Sequence, residues 1–374
     1  MPEPLKNQFG VDVPAKIAAM IVAVHHKFPV AAFVADALTG YESLELLPRA
    51  QQISTALHRH LPRDYEKAAD ILLASLGSKL EGTENHGMAP FIYMPHVCFV
   101  RQYGLDDFDT SMRANYELTQ RFTAEFSIRP FLERYPEQTL ARLETWTEDS
   151  SPHVRRLVSE GTRPRLPWAS RLKCFQKNPR PVLALLELLK DDPVLYVRRS
   201  VANNLNDIGK DHPEQLYKTA RCWLKGASTE RQWLVKHALR SAIKRAEPGA
   251  LEILGLNKRA RVAIFKVKIT PRRPGLGEAV SISCVMHNSL AQRQQVLVDL
   301  RVHFIKASGK SSARVFKLKT VDLAPREAVV LTKTLSLADK TTRKHYPGKH
   351  RLELLLNGET WELGDFMLIL KKPQ

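Results

Sequence analysis

The stretch SSPHVRRLVSEG, residues 150–161, decides how this chain folds. A Ser-Pro pair opens it as a helix start, with Pro152 where its missing N–H costs nothing. Val154, Leu157, Val158 and Gly161 recur at three and four residues and share one helical face. His153, Arg156, Glu160 and Arg163 share the opposite face. The pattern returns twice: DDPVLYVRRSVANNL (191–205) and STERQWLVKHALRSAI (228–243) superpose on it with Arg156, Arg199 and Lys236 in register, at offsets of 43 and 37 residues. Each copy follows another amphipathic segment, over 137–148, 181–190 and 214–225. Paired helices at this spacing are the signature of a HEAT-like solenoid, where each pair buries its apolar stripe against its neighbours.

The helical period extends upstream to Val13, as in Ile17, Ala18, Ile21 and Val24, and runs down to about Leu254. Pro136, Pro181, Asp192-Pro193, Pro213 and Ser228-Thr229 mark further helix starts. After Leu256 the texture changes to short, β-branched, alternating runs: VAIFKVKI, VSISCVMH, VLVDLRVHFI, ARVFKLKTV, AVVLTKTLSL, HRLELLLN and ETWELGDFML. Gly- and Pro-containing turns such as Pro347-Gly348 and Asn357-Gly358 separate them. Seven such runs predict an immunoglobulin-like sandwich, without a disulfide because Cys284 has no partner. The expectation is a multidomain chain, α then β: a HEAT-like alpha-solenoid of paired helices over 1–257, then an immunoglobulin-like β-sandwich over 258–374, the boundary falling at 257–261.

A length of 374 residues exceeds one ordinary core, and 44% hydrophobic residues is a globular composition. No apolar run is long enough to cross a bilayer, and residues 1–10 read as a polar lead-in rather than a signal peptide. Cys98, Cys174, Cys222 and Cys284 are scattered and form no C-x-x-C, so reduced core thiols and a cytoplasmic location are expected. His25-His26 stands on an apolar helix with nothing at ligand spacing, so no metal and no cofactor is expected.

Charge is unevenly spread. The net +18 divides into −6 over residues 1–150, +10 over 151–257 and +14 over 258–374. Such a split implies a surface with a polyanionic partner, since neutralising phosphates releases counterions. No segment combines the basic and apolar faces of an interfacial helix, which argues against a membrane.

On one helix, a charged face is ordinarily just solvated. Arg156, Arg199 and Lys236, with Arg240 following Lys236, instead align on three helices in the positive part of the chain, a row suited to a phosphate backbone. Glu160 interrupts that row. Flanked by Arg156 and Arg163, it reads either as an intrahelical salt bridge or as a carboxylate held ionised on a cationic surface. The segment GTRPRLPW (161–168) is non-helical and sets Trp168 beside this helix, as core or as a stacking contact. Glu125 attracts no functional reading from spacing alone.

At VRRLVSEGTRPRLPW the chain resembles the AlkC branch of the AlkC/AlkD-type bacterial DNA alkylation-repair glycosylases, and the resemblance extends over roughly residues 10–255. It implies excision of cationic N3-alkylated bases, 3-methyladenine and 3-methylcytosine, without extrusion of the lesion. It further implies that Glu125 and Glu160 are catalytic carboxylates, that Trp168 lies beside the lesion, that Arg156 and Arg163 contact DNA, and that Asp207 is a weaker site candidate. For the basic sandwich, whose tips carry Arg272, Arg273, Lys306, Lys310 and Arg343-Lys344-His345, DNA gripping is expected rather than catalysis. The expected partner is double-stranded DNA containing alkylated bases, met by a monomer that associates with the nucleoid when bound. A non-catalytic protein scaffold or a DNA-structure-binding protein is the alternative.

Overall fold

A computed structural model describes residues 5–84, 87–256, 259–339 and 343–370. Helices α1 (Val13–Val22), α2 (Val30–Leu38), α3 (Leu46–His60) and α4 (Tyr65–Ala74) come first, followed by α5 (Met94–Tyr103), α6 (Phe108–Thr119), α7 (Arg129–Arg134) and α8 (Pro136–Thr145). The repeat region forms α9 (Pro152–Gly161), α10 (Lys173–Lys177), α11 (Arg180–Leu189), α12 (Leu195–Asp211), α13 (Pro213–Leu224) and α14 (Thr229–Ala238). Two short helices follow, α15 (Arg240–Lys244) and α16 (Pro248–Ile253). Among the described residues no strand precedes Val262.

The chain divides into two compact units, Met1–Leu216 with Cys222–Ala238, and Tyr217–Arg221 with Leu239–Gln374. In the first, α9 lies against α12 and α12 against α14, while α11 touches both α9 and α12. The second helices of successive pairs are therefore neighbours, as a stack of repeats requires. Val154, Leu157 and Val158 of α9 and Val197, Val201 and Leu205 of α12 are all fully buried core. Gly161 admits Ile128, at the start of α7, close to the end of α9: a Cβ there would stand 2.6 Å from Ile128 Cγ2. Helix α12 begins at Leu195, beyond the Asp192-Pro193 start, because Asp192 Oδ1 accepts from Val194 N (2.8 Å) and its carboxylate pairs with Arg155 (2.6 Å).

Three expectations change here. The third repeat is not one helix: it ends at Ala238 and resumes at Arg240, and the two pieces belong to different compact units. Arg240, half-buried and engaged in contacts of its own, opens the second piece. Of the thiols expected in the core, Cys98 and Cys284 are buried but Cys174 and Cys222 are exposed. His25-His26 follows the end of α1 rather than standing on it.

Among the described residues the second unit contains seven strands: β1 (Val262–Thr270), β2 (Ala279–Asn288), β3 (Gln294–Ile305), β4 (Ser311–Leu323), β5 (Ala328–Ser336), β6 (Gly348–Leu356) and β7 (Glu359–Leu368). They form two antiparallel sheets, ordered β1-β2-β5 and β4-β3-β6-β7. Alternation fills the core between them, with Val280, Ile282, Cys284 and Met286 from β2, Val298, Leu300 and Val302 from β3, and Leu352 and Leu354 from β6. Strand β4 joins the sheet of β3, a departure from the constant-type arrangement that puts the fourth strand with the first two. Leu297 turns away from this core to meet Leu251 and Leu256, which explains the unbroken apolar run at the start of β3. The boundary residues Asn257 and Lys258 lie outside the described residues.

Candidate active site

Glu125 lies in the turn between α6 and α7, where Thr123 Oγ1 accepts from its backbone N (3.3 Å) and donates to its Oε2 (2.9 Å). Arg156 of α9 reaches that carboxylate at 2.8 Å, bonds Thr123 Oγ1 at 3.2 Å, and lies 3.7 Å from Glu160, one turn along its own helix. Its guanidinium sits over the Tyr196 ring, 5.1 Å from the centroid. Glu160 Oε1 accepts from Arg163 (2.6 Å), and Oε2 accepts from the Ser200 hydroxyl (2.6 Å), itself bonded by Ser159 (2.7 Å). Arg163 continues to Asp207 (2.8 Å), and Asp207 to Lys210 (2.7 Å). The result is a ladder of alternating sign: Glu125, Arg156, Glu160, Arg163, Asp207, Lys210.

The helical wheel is correct about sidedness, yet the face is covered. Glu160 is 6% exposed, Asp207 1% and Arg163 8%, so these are buried groups bridging α9 and α12. Burial disfavours a charged Glu160, but Arg156, Arg163 and the Ser200 hydroxyl outweigh it and hold the carboxyl below its ordinary value. Burial likewise works against Arg156, while Glu125 and Glu160 more than offset it and raise its pKa. Arg163 is raised in the same way by Glu160 and Asp207. The intrahelical salt bridge and the carboxylate held ionised are one arrangement.

Trp168 stands clear of the ladder, 70% exposed and at φ +64°, a costly conformation for a bulky residue. Its loop is pinned by the buried Arg129 of α7, which donates to the carbonyls of Gly161 (2.9 Å), Arg163 (2.8 Å) and Ser170 (2.5 Å). Burial lowers the Arg129 pKa to about 10. Trp168 and Phe126 help line an apolar cavity of about 560 Å³ together with Met94, Val97, Cys98 and Arg101, and neither Glu125 nor Glu160 lines it. Arg199 and Lys236 are exposed.

Spacing did not single out Ser200, Tyr196, Thr123 or Arg129. For the first two a signal existed: Tyr196, Ser200 and Asp207 form one stripe of α12 at helical spacing, facing α9. Thr123 and Arg129 act through tertiary geometry that no local pattern announces.

In the sandwich, antiparallel pairing brings the β1–β2, β3–β4 and β5–β6 loops to one end, so Arg272, Arg273, Lys306, Lys310 and Lys344 gather there, all exposed. Arg272 donates to the Asp365 carbonyl (2.9 Å), and Arg343 lies over Phe304 and Phe316 at 4.8 and 5.8 Å. Among the described residues no group of three or more His, Cys, Asp or Glu side chains is placed to hold a metal ion, and no helix is long and apolar enough to cross a membrane.

Fold and site together define a helical-repeat protein with a buried arginine–carboxylate ladder and a C-terminal immunoglobulin-like sandwich. Residues 263–370 match the family model described as "Uncharacterised protein YhaZ, C-terminal Ig-like domain". The chain is 36% identical over 333 residues to the uncharacterized protein YhaZ of Bacillus subtilis (strain 168), covering 88% of this chain and 89% of that protein. It is also similar to the structure of Pseudomonas fluorescens alkylpurine DNA glycosylase AlkC bound to DNA containing an abasic site analog. There the identity is 36% and the TM-score 0.91, with 98% of this chain and 100% of the other covered. The chain belongs to the AlkC-type family of DNA alkylation-repair glycosylases.

Proposed function

We propose that the chain is a DNA glycosylase that hydrolyses the N-glycosidic bond of cationic N3-alkylated bases, 3-methyladenine and 3-methylcytosine, in duplex DNA without extruding the lesion, initiating base excision repair. The observation that carries this reading is the pair of carboxylates, Glu125 and Glu160, joined through Arg156, in a chain whose fold is that of a DNA-bound glycosylase.

A base alkylated at N3 already carries positive charge, so it departs as a neutral molecule with the bonding electrons and needs no proton from an acid. What remains is to stabilise positive charge developing on the sugar and to orient the water that attacks C1′. Ionised carboxylates serve both purposes. The arginines of the ladder keep them ionised. In this reading Glu125 and Glu160 are catalytic, Trp168 lies against the lesion, and Asp207 anchors Arg163 behind Glu160. Arg156 and Arg163 contact DNA beside the acids, while Arg199, Lys236, Arg240, Arg272, Arg273 and Lys310 neutralise phosphates. Residues 1–257 form the repair domain and 258–374 a sandwich that grips the duplex. The protein acts as a cytoplasmic monomer, nucleoid-associated when bound.

A second reading, a DNA-structure-binding protein without catalysis, draws on the burial and ion pairing of Glu160. The test is release of free bases from N-methylated duplex DNA by wild type, Glu125→Gln and Glu160→Gln, with duplex binding and thermal unfolding measured alongside. Release by wild type that is lost in either variant while binding persists supports the glycosylase. No release by wild type at any protein concentration overturns it.

A further inference from the structure

Five tryptophans occur in the chain, and two of them are exposed: Trp168 at 70% and Trp233 at 37%. The catalytic reading uses the first and leaves the second without a role. Trp233 lies on α14, whose core face of Leu234, Val235 and Ala238 is fully buried, so the helix does not need the indole for its packing. The indole stacks on the His237 ring one turn later, with centroids 5.0 Å apart and planes 8° from parallel. His237 Nε2 in turn meets Asn203 Oδ1 of α12 at 3.3 Å.

That contact fixes which way the pair faces. Asn203 follows Ser200 by three residues and precedes Asp207 by four, so it borders the stripe of α12 that holds Glu160 and Arg163. The polar band running from Glu125 through α9 and α12 therefore continues onto α14 and ends at Trp233. Two exposed cations accompany the indole: Lys236, three residues along α14, and Arg199, one turn before Asn203 on α12. An exposed indole accompanied by two exposed cations suits a sugar–phosphate strand, with the cations on phosphates and the indole on a deoxyribose or a base face.

We infer that Trp233, braced by His237, is a second aromatic DNA contact, set across the α9–α12 ladder from Trp168 and holding the strand that runs past the lesion. The inference rests on the glycosylase reading for its position beside a lesion, but its binding test does not depend on catalysis. In order of packed helices, Trp168 borders a cavity walled by α5, Glu160 lies on α9 with Glu125 joined to it through Arg156, α12 packs against α9, and Trp233 rises from α14. A strand gripped at both indoles keeps its sugar over the acids without a pocket for the base.

The experiment uses the full chain and a fluorescein-labelled duplex containing a tetrahydrofuran abasic-site analogue, titrated by anisotropy, with wild type, Trp233→Ala, Trp233→Phe and His237→Ala. Loss of a stacking partner predicts affinity about tenfold weaker for Trp233→Ala, with Trp233→Phe recovering most of it and His237→Ala falling between. Single-turnover base release at subsaturating protein falls in the same order. Unchanged thermal unfolding of Trp233→Ala separates a lost contact from a damaged helix. Affinities of Trp233→Ala and wild type within twofold of each other overturn the inference. A wild type that binds the duplex but releases no methylated base overturns the glycosylase reading alone, and one that binds no duplex overturns both.

Discussion

Ser200 of α12 donates a 2.6 Å hydrogen bond to the Glu160 carboxylate of α9, forty positions earlier in the chain. Ser159 donates to the same hydroxyl, so it is oriented toward the acid rather than free to turn. Of the groups lowering the Glu160 pKa, Ser200 is the one that carries no charge. It can therefore be removed without unbalancing the ladder. Ser200→Ala is expected to slow base release about tenfold, the scale of a hydrogen bond to a charged group, with duplex affinity nearly unchanged. The Glu160 pKa rises toward its ordinary value in this variant, so the acid limb of the rate–pH profile moves to higher pH. A profile and rate identical to wild type would show that Glu160 is a structural acid.

Stability at mild acidity should be governed by a histidine outside the ladder. His96 of α5 is fully buried among Ala69, Leu72, Phe99, Val100, Ala114 and Leu118, and among the described residues neither ring nitrogen has a hydrogen-bond partner. Burial lowers its pKa to about 4, against 6.5 in an unfolded chain. Above pH 6.5 the ring is neutral in both states and affects nothing. Between 6.5 and 4 the unfolded chain takes up a proton that the folded chain refuses, so stability declines as pH falls, by roughly 3 kcal/mol in all. Below about pH 4 this contribution levels off. Urea titrations from pH 7.5 to 4 measure the slope, and His96→Leu should flatten it. An equal decline in that variant assigns the acid sensitivity to other groups, the Glu160 ladder first among them.

The repeat helices were legible because apolar period and Pro-marked starts agree: α9, α11, α12 and α13 begin within two residues of the prolines that announce them. The strands were legible because alternation and turn residues agree, as at Asn357-Gly358, where both residues take positive φ between β6 and β7. The site was half legible. Glu160, Arg156 and Arg163 sit at helical spacings that a wheel reveals, whereas Glu125 joins them only when the turn after α6 folds against α9. Sequence placed the polar residues of α9 on one face but could not say that α12 covers it. Ser200 and Asp207, from the next repeat, turn a surface row into a buried ladder. The β4 edge was equally invisible, since alternation says which face is buried and not which sheet a strand joins.

Because the ladder's arginines are paired with acids, salt-dependent DNA affinity should reside in exposed cations elsewhere in the helical unit. Arg199 and Lys236 are exposed and have no acid of the ladder within reach among the ion pairs of the described residues. Arg199→Gln and Lys236→Gln should each reduce the slope of log affinity against log salt by about 0.9, the value for one released phosphate contact. Base release measured at saturating DNA should change far less than affinity. Slopes unchanged in both variants would move the backbone contacts off this row.

The sandwich calls for point substitutions rather than truncation. A cut at residue 257 would strip Leu297 from Leu251 and Leu256 and leave an apolar surface behind, so lost binding in a truncated chain would be ambiguous. Arg272, Arg273 and Lys310 are exposed at one end of the sandwich and outside its core, so replacing all three by Gln should leave thermal unfolding nearly unchanged. If this end grips the duplex, the triple variant lowers the salt slope by as much as about 2.7, three phosphate contacts' worth. Base release from saturated complexes should persist, because the acids lie in the other unit. A triple variant with the salt slope of wild type would mean that the loops share a charge and an end of the fold without sharing a ligand.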